Sequence, residues 1–113
     1  MSRDERDPDK AVDYIIANGA RFAKAKAERV YLEEFRKSKK ALLMKEAEVS
    51  GVKTAAIQER DAYAHADYIK LLHALRTATE RALSCKWRLE LSRMRFDWAR
   101  TQAANRRAEM NLR

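Results

Sequence analysis

Lys86, Arg93, Arg100 and Arg107 recur every seven residues near the C-terminus, and Arg81, Arg88 and Arg95 form a second row beside them. Seven residues are two helical turns, so on one helix each row is a ladder of cations about 10.5 Å apart. Such spacing suits repeated anions, above all the phosphates of a nucleic-acid backbone, which Lys and Arg hold by releasing counterions. Trp87, Phe96 and Trp98 lie among these cations, and aromatic rings in that setting can stack on unpaired bases. The structural reading competes: basic rows beside an apolar seam make ion pairs between helices, and aromatics at helical spacing are core. We read Phe96 as core, and burial ahead of stacking for the two tryptophans.

Other residue types capable of chemistry are poorly placed. Asp61 lies four residues before His65, and His73 eight after it, but no third metal ligand is in position, so a hydrogen-bonded or solvated histidine is the better reading. Glu33 and Glu34 fall on adjacent helix faces and make a poor acid/base pair. Lys53, Glu59 and Asp61 do not form a recognisable nuclease centre. Cys85 is the only cysteine; it sits among Ala and Leu as an inert core thiol. No phosphate-cradling Gly loop and no zinc-finger or RRM pattern is present. We expect no enzyme activity, no cofactor and no metal.

The elements that must carry these residues are helical. The chain has 113 residues, 37% of them charged, with two Gly and one Pro, the composition of long helices. Residues 1–7 read as a flexible N-terminus. Asp7-Pro8-Asp9 reads as a helix start, with Asp7 as N-cap and Asp9 and Asp13 near the positive dipole end. Asn18-Gly19 can end or kink the first piece. Phe22, Ala23, Ala27, Val30, Tyr31, Phe35, Leu42 and Leu43 supply its apolar positions, and Ser50-Gly51 is the clearest stop. The spacing predicts helices over about 8–49, 54–64 and 67–110, with Thr54 capping the second. His65-Ala66-Asp67 forms a corner with Asp67 as a cap, or the helix runs through. The expected fold is all-α: a long antiparallel, coiled-coil-like hairpin over 8–113 with a short connecting helix.

The last helix has two apolar faces. Leu71, Leu75, Ala78, Ala82, Cys85, Leu89, Phe96 and Ala99 form a seam with alternating steps of four and three. Ile69, Leu72, Leu83, Trp87, Leu91, Met94 and Trp98 fall roughly opposite. One face can pack on the first long helix. The other calls for a homodimer or higher oligomer, an oligomeric helical bundle with Leu72, Leu83, Trp87, Leu91, Met94 and Trp98 at the interface.

If Val49 lies near Asp67, then Arg95 opposes Arg21, Trp87 opposes Arg29 and Arg81 opposes Phe35. Arg21 to Lys45 holds nine basic and three acidic residues, so basic faces basic through the middle of the hairpin. Arg106 and Arg107 come near Asp9, with Asp4, Glu5, Asp7 and Asp13 close by, and are expected to be neutralised there. The candidate nucleic-acid contacts are therefore Arg21, Lys24, Arg29, Arg81, Lys86, Arg88, Arg93, Arg95 and Arg100. A net charge of +8 favours the same class of partner. Without an apolar signal core or spanning segment, a cytoplasmic setting without membrane contact is expected.

The segments AVDYIIANGARFAKAKAERVYLEEFRKSKKALLM (Ala11 to Met44), ERDAYAHADYIKLLHAL (Glu59 to Leu75) and ARTQAANRR (Ala99 to Arg107) resemble a family of short all-helical proteins from tailed bacteriophages and prophages. The resemblance covers most of the chain and lies in the overall pattern rather than in a catalytic motif. Relatives often have His-Pro where this chain has His65-Ala66. The resemblance implies the host cytoplasm and a link to phage recombination or replication. Together with the basic rows it points to sequence-nonspecific DNA as partner; the alternative is a protein-interaction module docking on a host or phage replication or recombination protein. It assigns no functional residues.

Overall fold

The computed structural model describes residues 8–112 as three helices: α1 (Pro8–Val49), α2 (Ala55–Ala64) and α3 (Ala66–Leu112). No strand occurs among the described residues, in agreement with the all-α reading. The segment 1–7 and the Asp7 cap lie outside the described residues.

Local chemistry sets the boundaries. Pro8 opens α1 where its missing N–H costs nothing. At the other end the Gly51 N–H donates to the Glu48 carbonyl (3.1 Å) and the Val52 N–H to the Ala47 carbonyl (3.0 Å). This is the Schellman pairing, and it needs the left-handed backbone of Gly51, φ +107°. Asn18-Gly19 does not break α1. The Asn18 side chain is only 3% exposed, and its amide donates to the Tyr14 carbonyl at 3.0 Å. Burial with its own helix backbone as partner holds it in the helix.

Two caps differ from expectation. The Thr54 side chain makes no capping hydrogen bond; its carbonyl instead accepts from the Ile57 and Gln58 N–H groups. The corner after α2 is real, but His65 makes it. His65 has extended backbone, φ −66° and ψ 138°, and its Nδ1 accepts the Asp67 N–H at 3.0 Å. Asp67 therefore sits inside the first turn of α3, where its charge complements the helix dipole.

The described chain forms two compact units. One joins α1 up to Lys24 with α3 from Leu83 onward; the other runs from Ala25 to Ala82. Protected positions at seam spacing along α3 are Tyr68, Leu71, Leu75, Ala78, Ala82, Cys85, Leu89, Ser92 and Phe96. This is the expected seam, with Tyr68 and Ser92 added and Ala99 exposed. Ser92 fits because its hydroxyl donates to the Arg88 carbonyl at 2.8 Å.

Of its expected apolar positions, α1 keeps only Phe22 and Leu43 protected. Its protected positions step by four and three through Asn18, Phe22, Ala25, Arg29, Leu32, Arg36, Lys39 and Leu43. Ala23, Ala27, Val30, Tyr31, Phe35 and Leu42 are exposed. Long cationic side chains occupy seam positions because their methylene stems bury while their charged ends reach outward.

In the Ala25–Ala82 unit, Leu43, Ala62 and Tyr68 form a buried cluster with Met44 packed against it. Tyr68 thus sits with Leu43, and Lys39 Nζ lies 3.8 Å from Asp67. The expected neighbour of Asp67 was Val49. The cause is α2, which folds back against α1, with Glu59 at 3.1 Å from Lys40. Gln58 secures that fold-back. It is 8% exposed, and its Nε2 donates to the Val52 carbonyl at 2.6 Å. Gln58→Ala deletes this bond and leaves the Val52 carbonyl unpaired. Thermal unfolding at fixed chain concentration should show a loss of about 1–2 kcal/mol.

Candidate nucleic-acid interface

The segment Leu83–Arg113 carries eight basic residues against three acidic ones. Helix α3 carries it as far as Leu112 without a break, and no Gly or Pro occurs after Gly51. Buried Leu89 and Ser92 and half-buried Cys85 and Phe96 turn one face inward. The rows beside that face then point outward. Lys86, Arg88, Arg93 and Arg100 are all exposed, and none forms an ion pair among the described residues. The Arg100 guanidinium lies 5.9 Å from the Phe96 ring centroid. Cation–π contact braces Arg100 there without cancelling its charge.

Arg21 and Lys24, on α1 of the same unit, are likewise exposed and without an ion pair among the described residues. Arg95 differs: it is half-buried and already partnered within the chain. Asp4, Glu5 and Asp7, three of the acids expected near Arg106 and Arg107, lie outside the described residues. Neither arginine pairs with an acid among the described residues; Arg106 Nε instead donates to the Gln102 carbonyl at 3.4 Å. That carbonyl lies one turn back on the same helix, within reach of the side chain.

In the other unit the basic stretch of α1 does meet acids near the α2 connection. Three of its α1 lysines have acids within reach: Lys37 with Glu34 (3.4 Å), Lys39 with Asp67 (3.8 Å) and Lys40 with Glu59 (3.1 Å). The last two acids arrive because α2 folds back and α3 begins beside α1. Lys40 also lies 4.7 Å from the Tyr63 ring centroid. Tyr63 first, then Glu59, holds its ammonium above the ordinary lysine range. It stays charged at neutral pH, and any stability it lends is lost only as pH rises through that raised value. In this unit Arg81 is exposed, but Arg29 is half-buried in the α1 seam, and its Nε is buried without a hydrogen-bond partner. Arg29 is therefore a seam residue rather than an exposed contact.

The expected interface residues are exposed on the single chain. Leu72 is 39% exposed, Leu83 and Trp87 60%, Met94 62% and Trp98 61%; Leu91 is half-buried. The tryptophans are thus not core within the chain, because their face lies opposite its one seam.

Sequence reasoning missed a cleft of about 570 Å³ in the Ala25–Ala82 unit, lined by Arg36, Lys37, Lys40, Met44, Tyr63 and Tyr68 among others. Only the α2 fold-back brings Tyr63 to Lys40, so spacing along α1 carries no sign of it. No cluster of three metal-binding side chains occurs among the described residues, and none of their helices is long and apolar enough to cross a membrane. The chain matches no protein-family model, no curated protein and no solved structure.

Proposed function

We propose that this chain is a non-catalytic nucleic-acid-binding accessory protein that grips phosphate backbone through the basic rows of α3 without reading sequence. The observation that carries this reading is the set Lys86, Arg88, Arg93 and Arg100, exposed and without an acidic partner among the described residues. Cations aligned along one helix without an acidic partner among the described residues are matched when an anion arrives from outside. Arg21 and Lys24 add to the same unit's charge. DNA in phage recombination or replication, in the host cytoplasm, is the setting that the resemblance to phage and prophage proteins suggests.

The alternative is docking on a host or phage replication or recombination protein. The open Leu83–Trp98 stripe is the observation in its favour.

A salt series decides between the readings. Fluorescence anisotropy with labelled single-stranded, duplex and branched DNA should show binding that weakens steeply with salt. The logarithm of affinity for duplex should fall by roughly 0.9 per phosphate held for each tenfold rise in salt. With four or more phosphates held, the slope should be about −4 or steeper. Absence of binding to all three DNAs at about 50 mM salt would sink the proposal.

A further inference from the structure

We propose that the outer face of α3 between Leu83 and Trp98 pairs with the same face of a second copy, antiparallel, about a two-fold axis beside Leu91 and Ser92. Leu83, Trp87, Met94 and Trp98 are each at least 60% exposed. Two indoles exposed to that degree present about 150 Å² each, and with the leucines and Met94 the stripe reaches about 500 Å². A stable dimer buries about 800 Å² per partner; the stems of the flanking charged residues can supply the remainder. The α1 aromatics offer a weaker candidate, since Tyr31 and Phe35 already stack on each other at 6.0 Å.

The charges choose the occupant and its direction. Lys86, Glu90, Arg93 and Asp97 each stand one residue before Trp87, Leu91, Met94 and Trp98, so they line one edge of the stripe. Their signs alternate, and their steps are four, three and four. All four are exposed, and none forms an ion pair within its own chain among the described residues. Reversing one copy against the other brings the same edge of both copies together. Lys86 then meets Asp97 of the partner subunit, and Glu90 meets Arg93 of the partner subunit, each twice by symmetry. In the same register Trp87 sits between Met94 and Trp98 of the partner subunit, so the large side chains interdigitate. A parallel pair would instead turn this edge toward the edge holding Arg88 and Arg95, which matches Glu90 and Asp97 but sets Lys86 and Arg93 against arginines.

The opposite edge of the stripe runs through Ser84, Arg88 and Arg95, and the two-fold axis brings that edge of both copies together. There the nucleic-acid reading and the dimer meet: with Lys86 and Arg93 engaged by the partner's acids, phosphate contact falls to the Arg88 edge, where Arg88 stands opposite Arg95 of the partner subunit and a phosphate backbone would offset that repulsion. The dimer itself does not rest on that reading, and its test contains no nucleic acid.

Sedimentation equilibrium of the full chain at moderate salt should show a dimer at micromolar concentration. Leu91→Glu, beside the axis, should leave a helical monomer, with circular dichroism confirming the fold. Lys86→Asp alone and Asp97→Lys alone should each weaken dimerisation about tenfold, since each sets like charges together at two symmetric points. The double variant Lys86→Asp/Asp97→Lys should return to within about threefold of the original. Residues 86 and 97 are about 16 Å apart along one helix, so such rescue cannot arise within a chain. A wild-type monomer, or a double variant no tighter than the singles, would overturn the proposal. Failure to bind DNA with the dimer intact would count against the phosphate reading alone.

Discussion

Arg88→Glu/Arg100→Glu is expected to lower duplex-DNA affinity about a hundredfold near 50 mM salt while leaving the helices intact. Each arginine holding a phosphate contributes a charge-assisted hydrogen bond, typically about 1.5–3 kcal/mol, and reversal adds repulsion to that deficit. The pair removes one exposed cation from each basic row, so it probes whichever edge the backbone follows. The salt slope should become shallower by about 2, one unit for each phosphate that the protein no longer holds. If only one edge is used, the single variants separate. In the antiparallel dimer the Arg88 edge is drawn together from both copies, so Arg88→Glu should have the larger effect. Both side chains are exposed, so folding should suffer little beyond the Arg100–Phe96 interaction, about 0.5–1 kcal/mol. Unchanged affinity and slope in a folded double variant would remove α3 from the interface.

What the sequence made readable was the part governed by local chemistry. Pro8, Gly51 and the uninterrupted run after Gly51 define helix limits through backbone rules that need no tertiary knowledge. The α3 seam was visible because apolar residues fill nearly all of it. The α1 seam was hidden because Arg29, Arg36 and Lys39 occupy positions where hydrophobicity alone expects Leu. Phe22, Ala25, Leu32 and Leu43 kept the four-three rhythm and could have exposed it. The cap at His65 was misplaced onto Asp67, since Asp is the usual choice for a side-chain cap. The helix register depended on how α2 folds back, which rests on the Gln58–Val52 bond and the burial of Ala62. Neither follows from periodicity.

The candidate site follows the same division. That Lys86, Arg88, Arg93 and Arg100 point outward follows from the α3 seam alone, and the structure agrees. Which cations find acids depends on the fold-back. Lys39 and Lys40 gain Asp67 and Glu59 through it, whereas Arg106 and Arg107 find no acid among the described residues. Charge balance along a sequence is thus a poor guide until the neighbours in space are known.

Leu43 and Arg29 occupy the same α1 seam, yet substitutions there should move stability in opposite directions. Leu43 is 4% exposed and joins Ala62 and Tyr68 in the buried cluster. Leu43→Ala should cost about 2–5 kcal/mol through forfeited transfer energy and the cavity left behind. Arg29 holds a seam position of the same unit with its Nε buried and unpaired. Arg29→Leu removes that unsatisfied donor and adds apolar packing, so it should raise stability by about 1 kcal/mol. Melting at fixed chain concentration reads both: a fall of about 10 °C or more for Leu43→Ala and a rise of about 4 °C for Arg29→Leu. Fixing the concentration matters because any dimerisation ties melting temperature to it. The same variants separate stability from binding. Arg29→Leu should leave the DNA salt slope unchanged, because its side chain is committed to the seam, whereas Arg88→Glu should not. A drop in DNA affinity from Arg29→Leu as large as that from Arg88→Glu would return Arg29 to the binding surface and show that the cationic seam of α1 opens toward phosphate.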